Sequence, residues 1–208
     1  YYGNPSSTHA EGRASRSLIE ESRKVIAKHL GCNTSELFFT SSGSESNNLI
    51  LKGAVSKLGV RRIISTKIEH SCCLQTFNWL QTHKNVKLDF LSVDTHGHIH
   101  MDELEDLLKK EEGRTLVSLM HVNNELGTQL DLNLIGQLCK SYNALFHSDT
   151  VQGIGFAKYD LLTLPVDFLS GSAHKFYAPK GCGFVYIRNT HLLEPQVHGG
   201  SQERNMRA

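Results

Sequence analysis

Residues 37–55 read LFFTSSGSESNNLILKGAV, and they join a short apolar run to a second apolar segment through a string of small polar residues. The run at 37–39 is typical of a short strand, and the apolar residues between 49 and 55 indicate a helix. The serines and glycine at 41–44 suit a tight turn between them. A strand, a turn and a helix in this order predict one unit of an α/β fold.

The same alternation of predicted strands and helices continues along the rest of the chain. Further apolar runs, each predicting a strand, lie at residues 62–65, 86–93, 115–120, 144–147, 166–169 and 183–187. A helix is predicted at residues 13–30, where apolar residues recur at roughly helical spacing. Helices are also predicted at residues 73–81, 101–110 and 132–142, which separate several of the strands. Strands separated by helices predict right-handed crossovers and a mostly parallel, mixed sheet with helices on both faces. We therefore expect an α/β fold in which residues 1–208 form one domain.

Composition narrows the functional class. The chain has 22 Lys and Arg against 21 Asp and Glu, with no run of like charge, so we expect neither nucleic-acid nor membrane-surface binding. Its five cysteines form no C-x-x-C pair, which favours a reducing compartment over a disulfide framework. No apolar stretch approaches the roughly 20 residues that cross a bilayer. We expect a small-molecule enzyme of the cytoplasm, or of an organelle matrix if a targeting segment has been lost.

Polar residues that directly follow the apolar runs are the candidates for a ligand site. Ligands of open α/β sheets bind beyond the carboxyl ends of the strands. Such polar groups occur at residues 41–45, 69–70, 121–125, 149–152 and 172–175. In the first group, Gly43 and Ser44 offer unpaired backbone N–H groups at a helix start, which suit a phosphate. An ordinary serine-rich helix cap is the alternative.

Three of the other groups each contain one titratable side chain that is a candidate for chemistry. Lys175 follows a buried run and small residues, so it could act as a neutral amine towards a carbonyl, or be a solvated surface lysine. Asp149 follows another apolar run, where it would suit a protonated ring nitrogen, a helix cap or a salt bridge. His70 could transfer protons or be structural.

Two further features leave alternatives open. Asn123 and Asn124 could bind a ligand oxygen or merely turn the chain. Histidines alternate over residues 96–100, and on a strand they would lie on one face like metal ligands. The Asp, Thr and Gly in the same segment are more typical of a turn, and no Cys or carboxylate at suitable spacing completes a site. We therefore expect no metal.

Taken together, these segments resemble the cysteine desulfurase and selenocysteine lyase group of fold-type I pyridoxal-phosphate enzymes, often called class V aminotransferase-like. The matching segments are GNPSS at 3–7, FTSSGSESNN at 39–48, EH at 69–70, HVNNELG at 121–127, HSDTVQ at 147–152, SAHKFYAPKG at 172–181 and HGGSQER at 198–204. They run in the family's order across nearly the entire chain, which is far more specific than any one motif.

The resemblance implies pyridoxal 5'-phosphate as cofactor and a role for each candidate residue. Lys175 would hold the cofactor as an imine and, once freed, take the substrate's alpha proton. Asp149 would pair with the pyridinium nitrogen, and His70 would stack over the ring and help with proton transfer. The other implied contacts are Asn124 and Gln152 to the phenolic oxygen, and Gly43, Ser44, Ser172 and His174 to the phosphate.

The activity implied by the resemblance is removal of sulfur from L-cysteine to leave L-alanine, with delivery to an acceptor protein for iron–sulfur clusters or thio-cofactors. A selenocysteine lyase or another class V lyase or transaminase is the nearest alternative. A non-catalytic scaffold or dimerisation fragment is the alternative outside the enzymes. The resemblance also implies a homodimer. Residues 1–208 are then expected to be an incomplete large domain, without an N-terminal segment and the small C-terminal domain, and inactive alone.

Three departures from the family pattern qualify the resemblance. None of the five cysteines occupies the motif of the family's sulfur-accepting cysteine, which lies on a loop of the smaller C-terminal domain. The chain also ends where the family usually continues with a glycine-threonine that reaches the neighbouring subunit's phosphate. Thr150 stands where the family often has alanine, which adds a methyl and a hydroxyl near the ring face.

Overall fold

The structure is a computed structural model, and it describes residues 2–110, 112–189, 191 and 193–208. The strands are β1 (Leu37–Thr40), β2 (Arg62–Thr66), β3 (Lys87–Leu91), β4 (Thr115–Ser118), β5 (Leu145–Asp149), β6 (Phe168–Ser172) and β7 (Gly183–Ile187). The helices are α1 (Ala10–Leu30), α2 (Gly43–Ser56), α3 (Ser71–Lys84), α4 (Met101–Leu108) and α5 (Leu132–Ser141), with short 3-10 turns at Thr34–Glu36 and Ala173–Phe176.

The strands form one seven-stranded sheet in the order β1-β7-β6-β5-β4-β2-β3. All pairs from β6 to β3 are parallel, whereas β7 runs antiparallel to both of its neighbours, β1 and β6. The predicted mostly parallel, mixed sheet is therefore confirmed, with β7 as the reversed strand.

Apolar side chains cover both faces of this sheet, because successive residues of a strand point to opposite sides. Ile63 of β2 lies in the cluster formed with α2 and α3, and Ile64 lies in the cluster formed with α4 and α5. Burial of both faces explains why the strands read as nearly continuous apolar runs. No helix in the described ranges has the length and apolar character that a bilayer span requires.

Helix ends follow local capping. The helix predicted from residue 13 begins earlier, at Ala10, because the His9 side chain accepts the Gly12 N–H. It ends at Leu30, and the capping residue Gly31 adopts a left-handed conformation with φ 64° and donates its N–H to the Ala27 carbonyl. The start of α2 is capped by Ser42, whose side chain accepts the Glu45 N–H.

The carboxyl ends of the parallel strands meet at one edge of the sheet. At this edge β5 ends at Asp149 and β6 ends at Ser172. Gly183 pairs with both Ser172 and Thr40, so the end of β1 and the start of α2 lie at the same edge. The fold therefore brings most of the predicted polar groups to one place.

Candidate active site

A cavity of about 210 Å³ opens at this edge of the sheet. It is lined by Ser42, Gly43, Ser44, Asn47, His70, Cys72, Met120, Asn124, Asp149, Val151, Gln152, Ser172, His174 and Lys175. Every residue predicted to bind the cofactor or to take part in catalysis is in this set. The fold thus gathers side chains that lie up to 132 positions apart in the sequence, from Gly43 to Lys175.

Two larger clefts, of about 920 and 910 Å³, lie elsewhere on the molecule. The first is lined by residues such as Arg114, Asp167 and His191, and the second reaches the predicted set through Gln152. We assign the site to the smaller cavity because it collects titratable groups beyond the carboxyl ends of parallel strands.

One end of the cavity suits a phosphate. The N–H groups of Gly43 and Ser44 lie in the first turn of α2, where no preceding carbonyl is available to them. Across the cavity, the Ser172 hydroxyl lies 2.9 Å from Nδ1 of His174. A Cβ built on Gly43 would lie 2.5 Å from Cγ2 of Val151, so a larger residue would crowd this cradle.

Asp149 is a buried carboxyl group at the end of β5. Its Oδ1 accepts the Val151 N–H at 3.0 Å, and its Oδ2 accepts the Asn47 amide at 2.7 Å. Within the described residues these hydrogen-bond partners are uncharged, and burial raises the pKa of Asp149. A protonated ring nitrogen in the cavity would supply the missing positive partner.

Asn47 and Cys72 are cavity residues that were not predicted from the sequence. The Asn47 amide donates to Cys72 Sγ at 3.3 Å as well as to Asp149, and its own Oδ1 is buried without a partner among the described atoms. Asn47 lies four residues after Gly43, so its place on the same face of α2 was a usable signal.

Cys72 has an unusual environment for a thiol. A hydrogen bond with Cys73 is the largest cause that lowers the pKa of Cys72 to about 5, while burial opposes the change. The Asn47 amide and the His70 ring, whose Nδ1 lies 3.0 Å from Sγ, add to the effect.

His70 and Lys175 lie at the open side of the cavity. His70 caps α3, because its Nδ1 accepts the Cys72 N–H at 3.1 Å, and its ring is exposed. Lys175 lies in the turn Ala173–Phe176 that follows β6, and its side chain is also exposed. Both side chains can therefore meet a small molecule that enters the cavity.

The two neighbouring asparagines have different positions. Asn123 turns the chain, because its Oδ1 accepts the N–H groups of Glu125 and Leu126 and its amide donates to the Ile68 carbonyl. Asn124 is exposed and lines the cavity. Asn123 therefore forms the turn, which is one of the two interpretations, and the Asn124 side chain is accessible to a ligand.

The alternating histidines form a turn. Asp94 Oδ1 accepts the N–H groups of His96 and His98, and Gly97 between them has φ 83°. Within the part of the chain that the structure describes, no histidine cluster has ligand atoms close enough to hold a metal ion.

Glu69 anchors the loop that carries His70. Its Oε1 accepts the Met120 N–H at 3.0 Å and the Thr66 hydroxyl at 3.2 Å. Burial is the largest cause that raises the pKa of Glu69 to about 8, so the carboxyl is largely protonated at neutral pH. The neutral Glu69 side chain connects β2 to the segment after β4 through these two hydrogen bonds.

Comparison with known proteins places this geometry in a family. The sequence matches the family described as aminotransferase class-V over residues 1–207. It is 43% identical over 209 residues to the cysteine desulfurase IscS of Dictyoglomus turgidum, covering 100% of this chain and 52% of the relative. It is 38% identical over 213 residues to the mitochondrial cysteine desulfurase of Drosophila melanogaster, covering 46% of that protein.

Solved structures agree with this assignment. A NifS-like protein superposes with a TM-score of 0.93 at 41% identity, covering 100% of this chain and 57% of the other. SspA in complex with cysteine superposes with a TM-score of 0.91 at 36% identity, covering 99% of this chain and 60% of the other. The chain spans about half the length of the curated relatives named above. It belongs to the aminotransferase class-V family.

Proposed function

We propose that the protein containing this chain is a pyridoxal-phosphate-dependent cysteine desulfurase. It would convert L-cysteine to L-alanine and pass the sulfur to an acceptor protein for iron–sulfur cluster or thio-cofactor synthesis. The observation that carries the proposal is that Asp149, a buried carboxyl without a cation partner in the described ranges, shares one cavity with Lys175. The matched relatives named as cysteine desulfurases support the choice of reaction.

The chemistry of the cavity fits pyridoxal phosphate. Free N–H groups at the start of α2 suit the phosphate, and the buried carboxyl of Asp149 suits a protonated pyridine nitrogen. The primary amine of Lys175 suits an aldehyde. When bound, the cofactor supplies an electron sink for the pair released at the substrate's alpha carbon.

Each side chain then has a defined task. Asp149, held by Asn47, keeps the ring nitrogen protonated. Lys175 Nζ would hold the cofactor in the resting enzyme and, once released, would take the alpha proton of the substrate. His70 would cover the ring and help to move protons at the open side of the cavity.

The remaining side chains of the cavity would orient the cofactor. Asn124 and Gln152 would bind the phenolic oxygen, and Ser172 and His174 would join the helix N–H groups on the phosphate. We propose that residues 1–208 form the cofactor-binding large domain and that the protein acts as a homodimer. The sulfur-accepting cysteine is expected outside these residues. The proposed setting is the cytoplasm or an organelle matrix, because a matched relative is mitochondrial.

The test is a turnover measurement on the full-length protein loaded with pyridoxal phosphate. Sulfide release and alanine formation from L-cysteine should occur with the wild type and disappear with Lys175→Ala. Lys180→Ala is the matched control, because Lys180 is an exposed lysine of the same segment. Failure of the wild type with cysteine but turnover of selenocysteine would contradict the proposed substrate. Full activity of Lys175→Ala would contradict the proposed role of that lysine.

A further inference from the structure

The cavity contains a cluster of ligand atoms that the proposed reaction does not use together. One ligand atom from each of Cys72, Cys73 and Asp149 lies within 4.8 Å of the other two. Cys73 and Asp149 are buried, and Cys72 is half-buried and lines the cavity. Two thiols and a carboxylate in close proximity are typical ligands of Zn²⁺ and of softer thiophilic cations.

A neighbouring side chain outside the cluster, that of Asn47, holds two of its members in place. Asn47 donates its amide both to Cys72 Sγ at 3.3 Å and to Asp149 Oδ2 at 2.7 Å, so one side chain fixes the spacing of two ligands. The two cysteines occupy the first turn of α3, behind the capping residue His70. Hydrogen-bonding partners of this kind orient metal ligands in proteins.

A second observation points to a positively charged occupant. The hydrogen-bond partners of Asp149 in the described part of the chain are uncharged N–H donors. The Asn47 side chain is fully buried, and its Oδ1 has no partner among the described atoms. A buried carboxylate without a positively charged partner and a buried amide oxygen without a donor favour a cation over a neutral ligand.

The spacing is close to that of a tetrahedral site. Zn–S bonds of about 2.3 Å and Zn–O bonds of about 2.1 Å place neighbouring ligand atoms roughly 3.5 Å apart. Because the ligand atoms lie within 4.8 Å of one another, they need to approach by at most about 1.3 Å to reach this spacing. Cys72 lines the cavity, so a fourth ligand such as water can approach a bound cation from that side.

We propose that Cys72, Cys73 and Asp149 bind a Zn²⁺-like divalent cation when the cofactor is absent, and that the cation and the cofactor exclude each other. Both cysteines ligate as thiolates, any thiol proton that remains is released to solvent, and no electron is transferred. Exclusion follows because a divalent cation on Asp149 would repel a protonated ring nitrogen at the same buried carboxylate. The mutual exclusion of the cation and the cofactor rests on the proposed function, whereas the proposal of a metal site does not.

Co²⁺ is the probe for the experiment, because its thiolate charge-transfer and tetrahedral d–d bands report the ligands directly. Full-length protein stripped of cofactor is titrated with Co²⁺ and then with Zn²⁺. We expect one Co²⁺ per chain with thiolate bands, and Zn²⁺ should abolish them. Cys72→Ser and Cys73→Ser should each weaken Co²⁺ binding at least about tenfold. Cys182→Ser, at an exposed cysteine outside the cluster, should not change it.

A chemical readout on the wild type avoids any folding defect of the buried Cys73 variant. Zn²⁺ should protect Cys72 from alkylation by iodoacetamide, measured by peptide mass spectrometry, and should leave Cys182 reactive. Absence of thiolate–cobalt bands in the stripped protein overturns the metal site. Equal binding by Cys72→Ser and the wild type overturns it as well.

The exclusion is tested on protein preloaded with pyridoxal phosphate and freed of excess, because free cofactor itself binds metal ions. We expect no thiolate–cobalt bands while the cofactor absorption band persists. Co²⁺ binding with an undiminished cofactor band overturns the exclusion. Failure of the proposed function is distinguishable, since it appears as a wild type that forms no cofactor band whatever the cobalt result.

Discussion

At the scale of single residues, Asn47 is the side chain that organises the floor of the cavity. It joins α2 to the end of β5 through its hydrogen bond to Asp149. Replacement of Asn47 by alanine leaves a buried carboxyl with one donor fewer. We expect the free energy of unfolding to fall by about 1–3 kcal/mol, measured by urea denaturation.

The adjacent Asn48 provides a matched control for this change. Among the described residues, its amide donates to the Ser44 carbonyl of its own helix alone, in a solvent-exposed hydrogen bond. Asn48→Ala should alter the free energy of unfolding by less than about 0.5 kcal/mol. Equal losses in the two variants would show that the bond to Asp149 contributes nothing.

Glu69 gives a residue-scale prediction about pH. Its pKa is raised from 4.5 to about 8 in the folded protein, so the folded state holds a proton that the unfolded state loses. The stabilisation is complete below pH 4.5 and is lost as pH rises towards 8, by up to about 1.4 kcal/mol per pH unit. Glu69→Gln keeps the acceptor oxygen and should remove this slope in urea denaturation between those pH values.

An exposed carboxyl serves as the control for the Glu69 titration. Glu21 is exposed on α1, and Glu21→Gln should follow the wild-type dependence on pH. Parallel curves for the wild type and Glu69→Gln would rule out a protonated Glu69 in the folded protein.

At the scale of elements, the start of α2 sets the width of the proposed phosphate site. Gly43→Ala would place a methyl group 2.5 Å from Cγ2 of Val151. We expect the dissociation constant of pyridoxal phosphate to rise at least about tenfold, about 1.4 kcal/mol, measured by absorption titration of the full-length protein.

The crowding at Gly43 can be relieved from the opposite side. Val151→Ala removes the methyl groups that the new Cβ would meet, so the double variant should recover most of the lost affinity. A double variant that binds as weakly as Gly43→Ala would show that steric contact with Val151 is not the cause.

The helices and strands also show which parts of the fold can be predicted from neighbouring residues in the sequence. The stretch around Ser42 contains its own turn and helix cap, so strand, turn and α2 were predictable from neighbouring residues alone. The reversal of β7 was not, because Phe184 and Val185 read as an ordinary buried run. Strand direction is decided by pairing with β1 and β6, which are distant in sequence. Asn47 on α2 was missed for a related reason, since its partner Asp149 lies at the end of β5, 102 residues away in the sequence.

At the scale of the whole molecule, a buried ion pair joins α1 to the last described segment. Arg23 is 1% exposed, and its guanidinium donates to both oxygens of Glu203 at 2.9 Å. Glu203 also accepts the Phe39 N–H of β1 at 2.8 Å. The pair therefore fixes a distant segment of the chain against the sheet.

Removal of one partner from this pair should be costly. Glu203→Ala leaves the buried Arg23 charge with only the partly exposed Glu20 as a carboxylate partner, and we expect a loss of about 3 kcal/mol in the free energy of unfolding. Lys109→Ala breaks only exposed ion pairs on α4 and should cost less than about 1 kcal/mol. Similar losses in the two variants, measured by urea denaturation, would contradict a structural role for the buried pair.

The most direct test of the proposed site asks which amine of the full-length protein carries the cofactor. The loaded protein is reduced with borohydride, digested, and searched by mass spectrometry for a phosphopyridoxyl group. We predict that the group is found on Lys175. Its presence on another lysine, such as Lys180 or Lys158, or its absence from every peptide, would contradict the assignment of this cavity.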